Sequence, residues 1–300
     1  MIDVARLMVL RAAAARGSLS AAARLLRITP SAVSQQVAAL ERQVGVPLVE
    51  RRTTGITLTA PGRALVATAD VIAAELAKAE RHIAEIAEGT RGRLTVATFA
   101  SAGQRLLPQA VSALAADRPD AEVTVLEYEP FDAVPRLRRG DADLAIVYHF
   151  GSPRPPDDWG VGESLRYVRL RRDPVRVVLP ADHPLAGRRT VAFADLADER
   201  WVQGWADVGA LLDHHAAVAG FTPRVACYAS DYLFMQSVVA AGMGIALVPT
   251  VALANPPGEI VARPLDPEPV RHVGAVYPIG RWHSPLTEEL LARLRATVAD

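Results

Sequence analysis

Gly17-Ser18-Leu19-Ser20-Ala21-Ala22-Ala23-Arg24-Leu25-Leu26, followed after Arg27-Ile28 by Thr29-Pro30-Ser31-Ala32-Val33-Ser34-Gln35-Gln36-Val37, decides how the chain begins. Gly17 closes a first helix that opens on Val4, Leu7, Met8 and Leu10, and Ser18 is placed to cap a second. Ala21 to Leu26 is short and alanine-rich, suited to close packing. The turn Arg27-Ile28-Thr29 leads into a third helix, capped by Thr29 and carrying Pro30 at its first position, where the missing N–H costs nothing. Val33, Val37, Leu40 and Val44 recur at helical spacing and form one buried stripe. Two short helices joined by a tight turn make a helix-turn-helix. After Gly45, Leu48-Val49-Glu50-Arg51 and Ile56-Thr57-Leu58 flank Thr53-Thr54-Gly55 and predict a small hairpin, a wing.

The face of the third helix opposite its buried stripe holds Ser31, Ser34, Gln35 and Ala38. Serine and glutamine have the reach to hydrogen-bond base edges in a major groove, glutamine suits adenine, and alanine suits a thymine methyl. Arg42, Arg51 and Arg52 are placed to neutralise phosphates, which fixes register without reading sequence. Charge distribution agrees. The chain has 300 residues, with 33 basic and 33 acidic side chains. Residues 1–93 hold 13 basic and 8 acidic side chains, net +5, whereas 94–300 hold 20 and 25, net −5. A basic amino-terminal module on an acidic body fits double-stranded DNA at one end only.

Thr59 is positioned to cap a long helix from about Pro61 to Glu88. Leu65, Ala69, Ile72, Leu76, Ala79, Ile83 and Ile86 follow alternating spacings of four and three, a heptad seam that predicts pairing with a second copy, with Leu65, Ile72, Leu76, Ile83 and Ile86 as its large side chains. Gly89 to Arg93 reads as a linker. Beyond it, strands at 94–98, 122–127 and 144–147 alternate with helices at 104–117 and 131–139. The alternation restarts with strands at 176–179, 201–202, 224–228 and 245–248, and helices near 193–197, 207–219 and 232–241, before a last helix at 286–298. The fold class is α/β, with parallel sheet covered on both faces and two lobes around a cleft.

The run from Gly17 to Leu26, Thr29 to Val37, Leu40-Glu41, Gly45-Val46-Pro47-Leu48, Arg51 and Leu58-Thr59-Ala60-Pro61-Gly62 resembles the LysR-type transcriptional regulators over about the first 62 residues. Gly140 to Ile146 and Ala240 to Pro249 resemble that family further on. The resemblance implies a winged helix-turn-helix over 1–59, a dimerising linker helix over 60–91, and a periplasmic-binding-protein-like effector domain of two lobes, 92–161 plus 270–300 and 162–269. It implies a homodimer or tetramer on a partly palindromic operator, a small-molecule effector, and contact with RNA polymerase. Pro30 stands where the family often has glutamine, and Val49 where it often has phenylalanine.

Ligands of such lobes lie at the carboxyl ends of strands. Thr98 and Ser101 follow the first strand, and Tyr148 the third. Gln203, Gly204 and Trp205 follow a strand of the second lobe, and Asp231 is placed to cap a helix. The resemblance puts effector contacts in these loops, so Thr98, Ser101, Tyr148, Gln203, Trp205 and Asp231 are the expected effector residues. Backbone N–H groups after Thr98 suit an anion; Glu129 and Asp231 suit a cationic or hydroxyl-bearing ligand. No catalytic set, cofactor or metal is expected. There is no Gly-x-Ser-x-Gly or Walker loop, and adjacent His214 and His215 point apart on a helix. Gly242-Met243-Gly244 reads as close helix–sheet packing rather than a dinucleotide loop. The single cysteine, Cys227, reads as buried packing. Arg6, Arg11, Arg16 and Arg24 interrupt the opening apolar stretch and no run of 18 uncharged apolar residues exists, so neither a signal peptide nor a membrane span is expected, and the cytoplasm is the expected compartment. A small-molecule-binding protein of the same two-lobed type without a gene-regulatory role is the alternative.

Overall fold

The computed structural model describes residues 2–52, 55–88, 92–162, 164–204, 206–253, 258–279 and 285–299. The chain forms two compact units, one centred on Met1–Gly89, the other holding Thr90–Leu137 and Ala142–Ile279. The first runs α1 (Val4–Arg16), α2 (Leu19–Leu26), α3 (Pro30–Val44), β1 (Val49–Arg52), β2 (Gly55–Leu58) and α4 (Ala60–Glu88). The expected punctuation is in place. Ser18 caps α2 by accepting from the Ala21 N–H, and Thr29 caps α3 by accepting from the Ala32 N–H. Gly17 ends α1 in the left-handed region, at φ +61°. Val33, Val37 and Leu40 are buried against Leu7, Leu10, Ala22 and Leu48.

Two polar ties hold the wing and the long helix to this core. The Glu41 carboxylate accepts the N–H groups of Leu48 and Val49 at 2.8 and 3.2 Å, fixing where the chain leaves α3. Arg11 donates to Asp70 at 2.6 Å, joining α1 to α4. β1 and β2 pair antiparallel, Arg52 opposite Gly55. Gly55 sits at φ +138°, and a Cβ there would collide with the Gly17 carbonyl oxygen, so only glycine lets the wing dock on the end of α1. The expected turn residues Thr53 and Thr54 lie outside the described residues, as do 89–91 of the expected linker.

The heptad seam is divided. Leu65, Ala69 and Ile72 pack into the core of their own unit. They are therefore not free to pair with another chain, as the uniform seam predicts. Leu76 is 54% exposed and Ile83 66%. Ile86 is helical, but its side chain lies outside the described residues.

The second unit runs β3 (Arg93–Thr98), α5 (Ala100–Arg105), α6 (Leu107–Asp117), β4 (Glu122–Glu127), α7 (Pro130–Arg139), β5 (Leu144–Phe150), β6 (Leu165–Pro180), β7 (Val191–Ala192), β8 (Arg200–Gly204), α8 (Ala206–Val218), β9 (Arg224–Ala229), α9 (Tyr232–Ala240), β10 (Ile245–Pro249), β11 (Ile260–Asp266), β12 (Val270–Pro278) and α10 (Pro285–Ala299). Strand order is β4-β3-β5-β12-β6-β10-β8-β9, with β11 pairing β6 and β7. The β4-β3-β5 and β10-β8-β9 groups are parallel, as expected, but β12 and β6 run antiparallel to their neighbours, so the sheet is mixed.

β6 is the main departure from expectation. Only its end, 176–179, reads as a strand. Its first half, with Arg166, Arg169, Arg171 and Arg172, lacks an apolar run, yet pairs with β12 from Leu165 to Pro174. Its second half pairs with β10 and β11. Along this strand the pairing partner changes between Pro174 and Val175.

Two smaller differences follow from local chemistry. The single helix expected over 104–117 is two, breaking at Leu106, because Pro108 has no N–H to continue the ladder. β5 continues past Val147 to Phe150, so Tyr148 lies within the strand. Cys227 is in β9 but only half-buried. In the Gly242-Met243-Gly244 turn, a Cβ on Gly244 would lie 2.5 Å from the Arg200 carbonyl oxygen, which accounts for that glycine by backbone approach to β8.

Because Leu40 is fully buried in the first unit, Leu40→Ala should destabilise it by about 2–5 kcal/mol. Urea unfolding followed by helical circular dichroism measures this, with the midpoint falling at unchanged slope.

Candidate functional site

On α3, Ser31 and Gln35 are exposed and Ser34 and Ala38 half-buried, all on the side away from Val33, Val37 and Leu40. The Ser31 hydroxyl lies 2.9 Å from that of its neighbour Thr29. Arg42 is exposed near the end of the helix. Arg51 and Arg52 occupy β1 by backbone; their side chains lie outside the described residues. The helix thus presents short polar side chains in front and a cation behind, a geometry able to enter a major groove.

A second site lies in the α/β unit, a cavity of about 530 Å³, within the range of small-molecule sites. It opens at the carboxyl ends of the parallel strands, where strand-to-helix turns leave backbone and side-chain donors. Phe99, Ser101 and Gln104 come from the segment after β3, Glu129 and Phe131 from that after β4, and Tyr148 from β5. Opposite them stand Gly204 at the end of β8, then Asp231, Tyr232 and Gln236 beyond β9.

At its floor is a buried ion pair. The β6–β12 register places Asp173 opposite Arg271, both fully buried. Arg271 donates through Nε and Nη2 to Asp173 Oδ2, at 2.9 and 2.7 Å, and through Nη2 to Ser101 Oγ at 3.1 Å. The other oxygen of Asp173 accepts the Val251 N–H at 3.0 Å. The guanidinium carbon lies 5.0, 5.1 and 5.9 Å from the ring centres of Phe99, Tyr148 and Tyr232, close enough for cation–π attraction. Tyr148 donates to Glu129 Oε2 at 2.8 Å. Burial raises the Tyr148 phenol well above its ordinary value and the Glu129 carboxylate adds to the rise, so Tyr148 is held as a hydrogen-bond donor. Burial pushes Tyr232 up to about 12, with Arg271 opposing the rise.

Of the six expected effector residues, Ser101, Tyr148 and Asp231 line this cavity. Asp231 caps α9 by accepting from the Phe234 N–H at 2.8 Å. Thr98 does not line it; it is buried and donates to the Phe99 carbonyl. Gln203 also points away, its amide donating to the Gly209 carbonyl and Asp213. Trp205 lies outside the described residues. Among the described residues no group of three metal-ligating side chains occurs, and no helix is long and apolar enough to cross a membrane.

Two family models match the chain. Residues 4–63 match the bacterial regulatory helix-turn-helix protein of the lysR family, and residues 87–299 match the LysR substrate binding domain. The chain belongs to the lysR family. This LysR-type protein is a DNA-binding transcriptional regulator with a small-molecule-binding domain. It is 33% identical to the small neutral protease regulatory protein of Streptomyces coelicolor over 249 residues, covering 80% of this chain and 71% of that one. Its fold is similar to a full-length OxyR variant from Pseudomonas aeruginosa, with TM-score 0.62, 22% identity, and coverage of 100% and 97%. It is also similar to full-length CbnR complexed with its target DNA, with TM-score 0.53, 22% identity and 99% coverage of both chains.

The regulator's ion pair was not among the expected site residues. Its available signal was a single arginine at the start of a largely apolar run, Val270-Arg271-His272-Val273-Gly274-Ala275-Val276. A charge in such a run has to be paired if it is buried. Asp173 carried no comparable signal, because it follows Arg171-Arg172 and lies outside any apolar run.

Removing one partner of a buried pair strands the other charge, so Asp173→Ala should cost about 3–5 kcal/mol, and Asp173→Leu with Arg271→Met much less. Thermal melting of the three proteins, watched by tryptophan fluorescence, checks the order.

Proposed function

We propose that Ser31, Ser34, Gln35 and Ala38 of α3 read base edges in the major groove, while Arg42, Arg51 and Arg52 contact phosphates. The observation that carries this reading is the exposed polar face of α3, set by a core that buries the opposite stripe. It is supported by the net +5 of the first 93 residues. Two copies pair through the part of α4 that exposes Leu76 and Ile83, with Ile86 continuing the seam in the sequence, rather than through Leu65 to Ile72. Two reading helices then face half-sites about 34 Å apart, or a multiple of that, on a partly palindromic operator. Pairs of dimers form tetramers on longer sites, and the bound protein acts on RNA polymerase in the cytoplasm.

Ser101, Tyr148 and Asp231 hold the effector in the cavity, and the effector shifts DNA binding by favouring one assembly over another. A ligand that bound both assemblies equally would shift nothing. The regulator performs no reaction of its own.

Gln35→Ala should weaken operator binding by about 1–3 kcal/mol while leaving random-sequence binding unchanged. Arg42→Ala should weaken both and lower the salt slope by about one. Fluorescence anisotropy across a salt series separates the two, and equal losses for Gln35→Ala on both DNAs refute base reading. Leu76→Glu should convert the dimer to monomer in multi-angle light scattering with the melting temperature preserved; an unchanged mass excludes pairing through this part of α4.

A further inference from the structure

The cavity holds two buried polar atoms with nothing to bond to among the described residues. One is a donor, Arg271 Nη1. Asp173 and Ser101 take the Nε and Nη2 protons; the guanidinium is close enough to the Tyr232 phenol for its charge and hydrogen bonding to oppose the rise of that phenol, but among the described residues no acceptor meets Nη1 at hydrogen-bond distance and angle. The other is an acceptor, Gln236 Oε1. Its identity as oxygen is fixed by its amide partner, because Nε2 donates to two carbonyls, Tyr232 at 2.8 Å and Ala252 at 3.1 Å, and only nitrogen can do so. Both side chains are nearly or fully buried, both line the cavity, and both flank Tyr232. An unmet buried polar atom costs free energy in the empty site and returns it to a ligand that supplies the partner.

We infer that the cleft takes a small organic carboxylate that also carries a hydrogen-bond donor, a hydroxyl or an ammonium, with the carboxylate on Arg271 Nη1 and the donor on Gln236 Oε1. The inference rests on the reading of this cavity as the effector site. The acceptor for Nη1 is anionic because bonds between charged partners are the strong ones and the Arg271 guanidinium is fully buried. Asp173 neutralises Arg271 from behind but is itself engaged by the Val251 N–H, so it holds the guanidinium in place rather than covering its outer edge. Glu129 and Asp231 line the same cavity and favour the donor end over a second anionic group. Phe99, Phe131, Leu233 and Met235 surround an apolar body.

Calorimetric titration of the full-length protein tests this with one set of heads on two bodies: propionamide, propionate, lactate and alanine, and their 3-phenyl counterparts. Carboxylates should bind the wild-type protein at least about tenfold tighter than the matching amides. Lactate or alanine, or the phenyl form of either, should bind tighter than the plain acid, and which of the two does so identifies the donor. The double variant Arg271→Met with Asp173→Leu should lose the preference for carboxylate over amide while still melting cooperatively. Gln236→Leu should lose the advantage of the donor while keeping the preference for carboxylate over amide. The inference is overturned if no compound binds the wild-type protein, if amides match carboxylates, or if the double variant keeps the preference. A compound that binds as expected but leaves operator affinity unchanged supports the head-group assignment and counts against the regulatory role of the cavity.

Discussion

The effector-binding unit depends on one strand. β6 runs unbroken from Leu165 to Pro180 and is shared by the two halves of the sheet, pairing with β12 before Pro174 and with β10 and β11 after it. A slip of one residue turns every side chain beyond it to the other face, and the β6–β12 ladder takes one such shift at Val273/Gly274. The register seen here sets Asp173 against Arg271 at the floor of the cleft. It also stacks the buried Val175, Val177 and Leu179 into the core of the second lobe. The same hydrogen-bond ladder that joins the lobes therefore also builds the polar floor between them.

That floor is the costliest part of the site to form. Two opposite charges at zero exposure are favourable only when their geometry is good and their remaining bonds are met. Here the carboxylate is fully engaged, by Arg271 on one oxygen and the Val251 N–H on the other. The guanidinium is engaged at Nε and Nη2 alone. The unmet bond falls on Nη1 of a residue that lines the cavity. Aromatic rings at 5.0–5.9 Å hold the guanidinium in position by cation–π attraction.

The DNA-reading unit was legible to a different degree. Ser18, Thr29 and Pro30 marked helix starts, Gly17 marked an end, and Val33, Val37 and Leu40 marked the buried side of α3. All of these are local signals, carried within a few residues by capping and periodicity, and each is found where it was expected. The heptad seam of α4 was only half informative. Periodicity identifies an apolar stripe but not its partner, and Leu65, Ala69 and Ile72 turned out to meet α1 and its neighbours while Leu76 and Ile83 stayed exposed.

Sequence alone therefore determined the winged helix-turn-helix, the polar face of α3, the charge asymmetry between the two units, and most strands and helices of the α/β unit. Each depends on contacts within one element or one turn. Tertiary structure decided the first half of β6, the antiparallel insertion of β12, which of Thr98, Ser101, Gln203 and Asp231 reach the cleft, and the pairing of Asp173 with Arg271. The last of these joins residues 98 positions apart. An arginine-rich strand such as 165–174 has no pattern of its own, because its pairing comes from a partner strand that arrives about a hundred residues later.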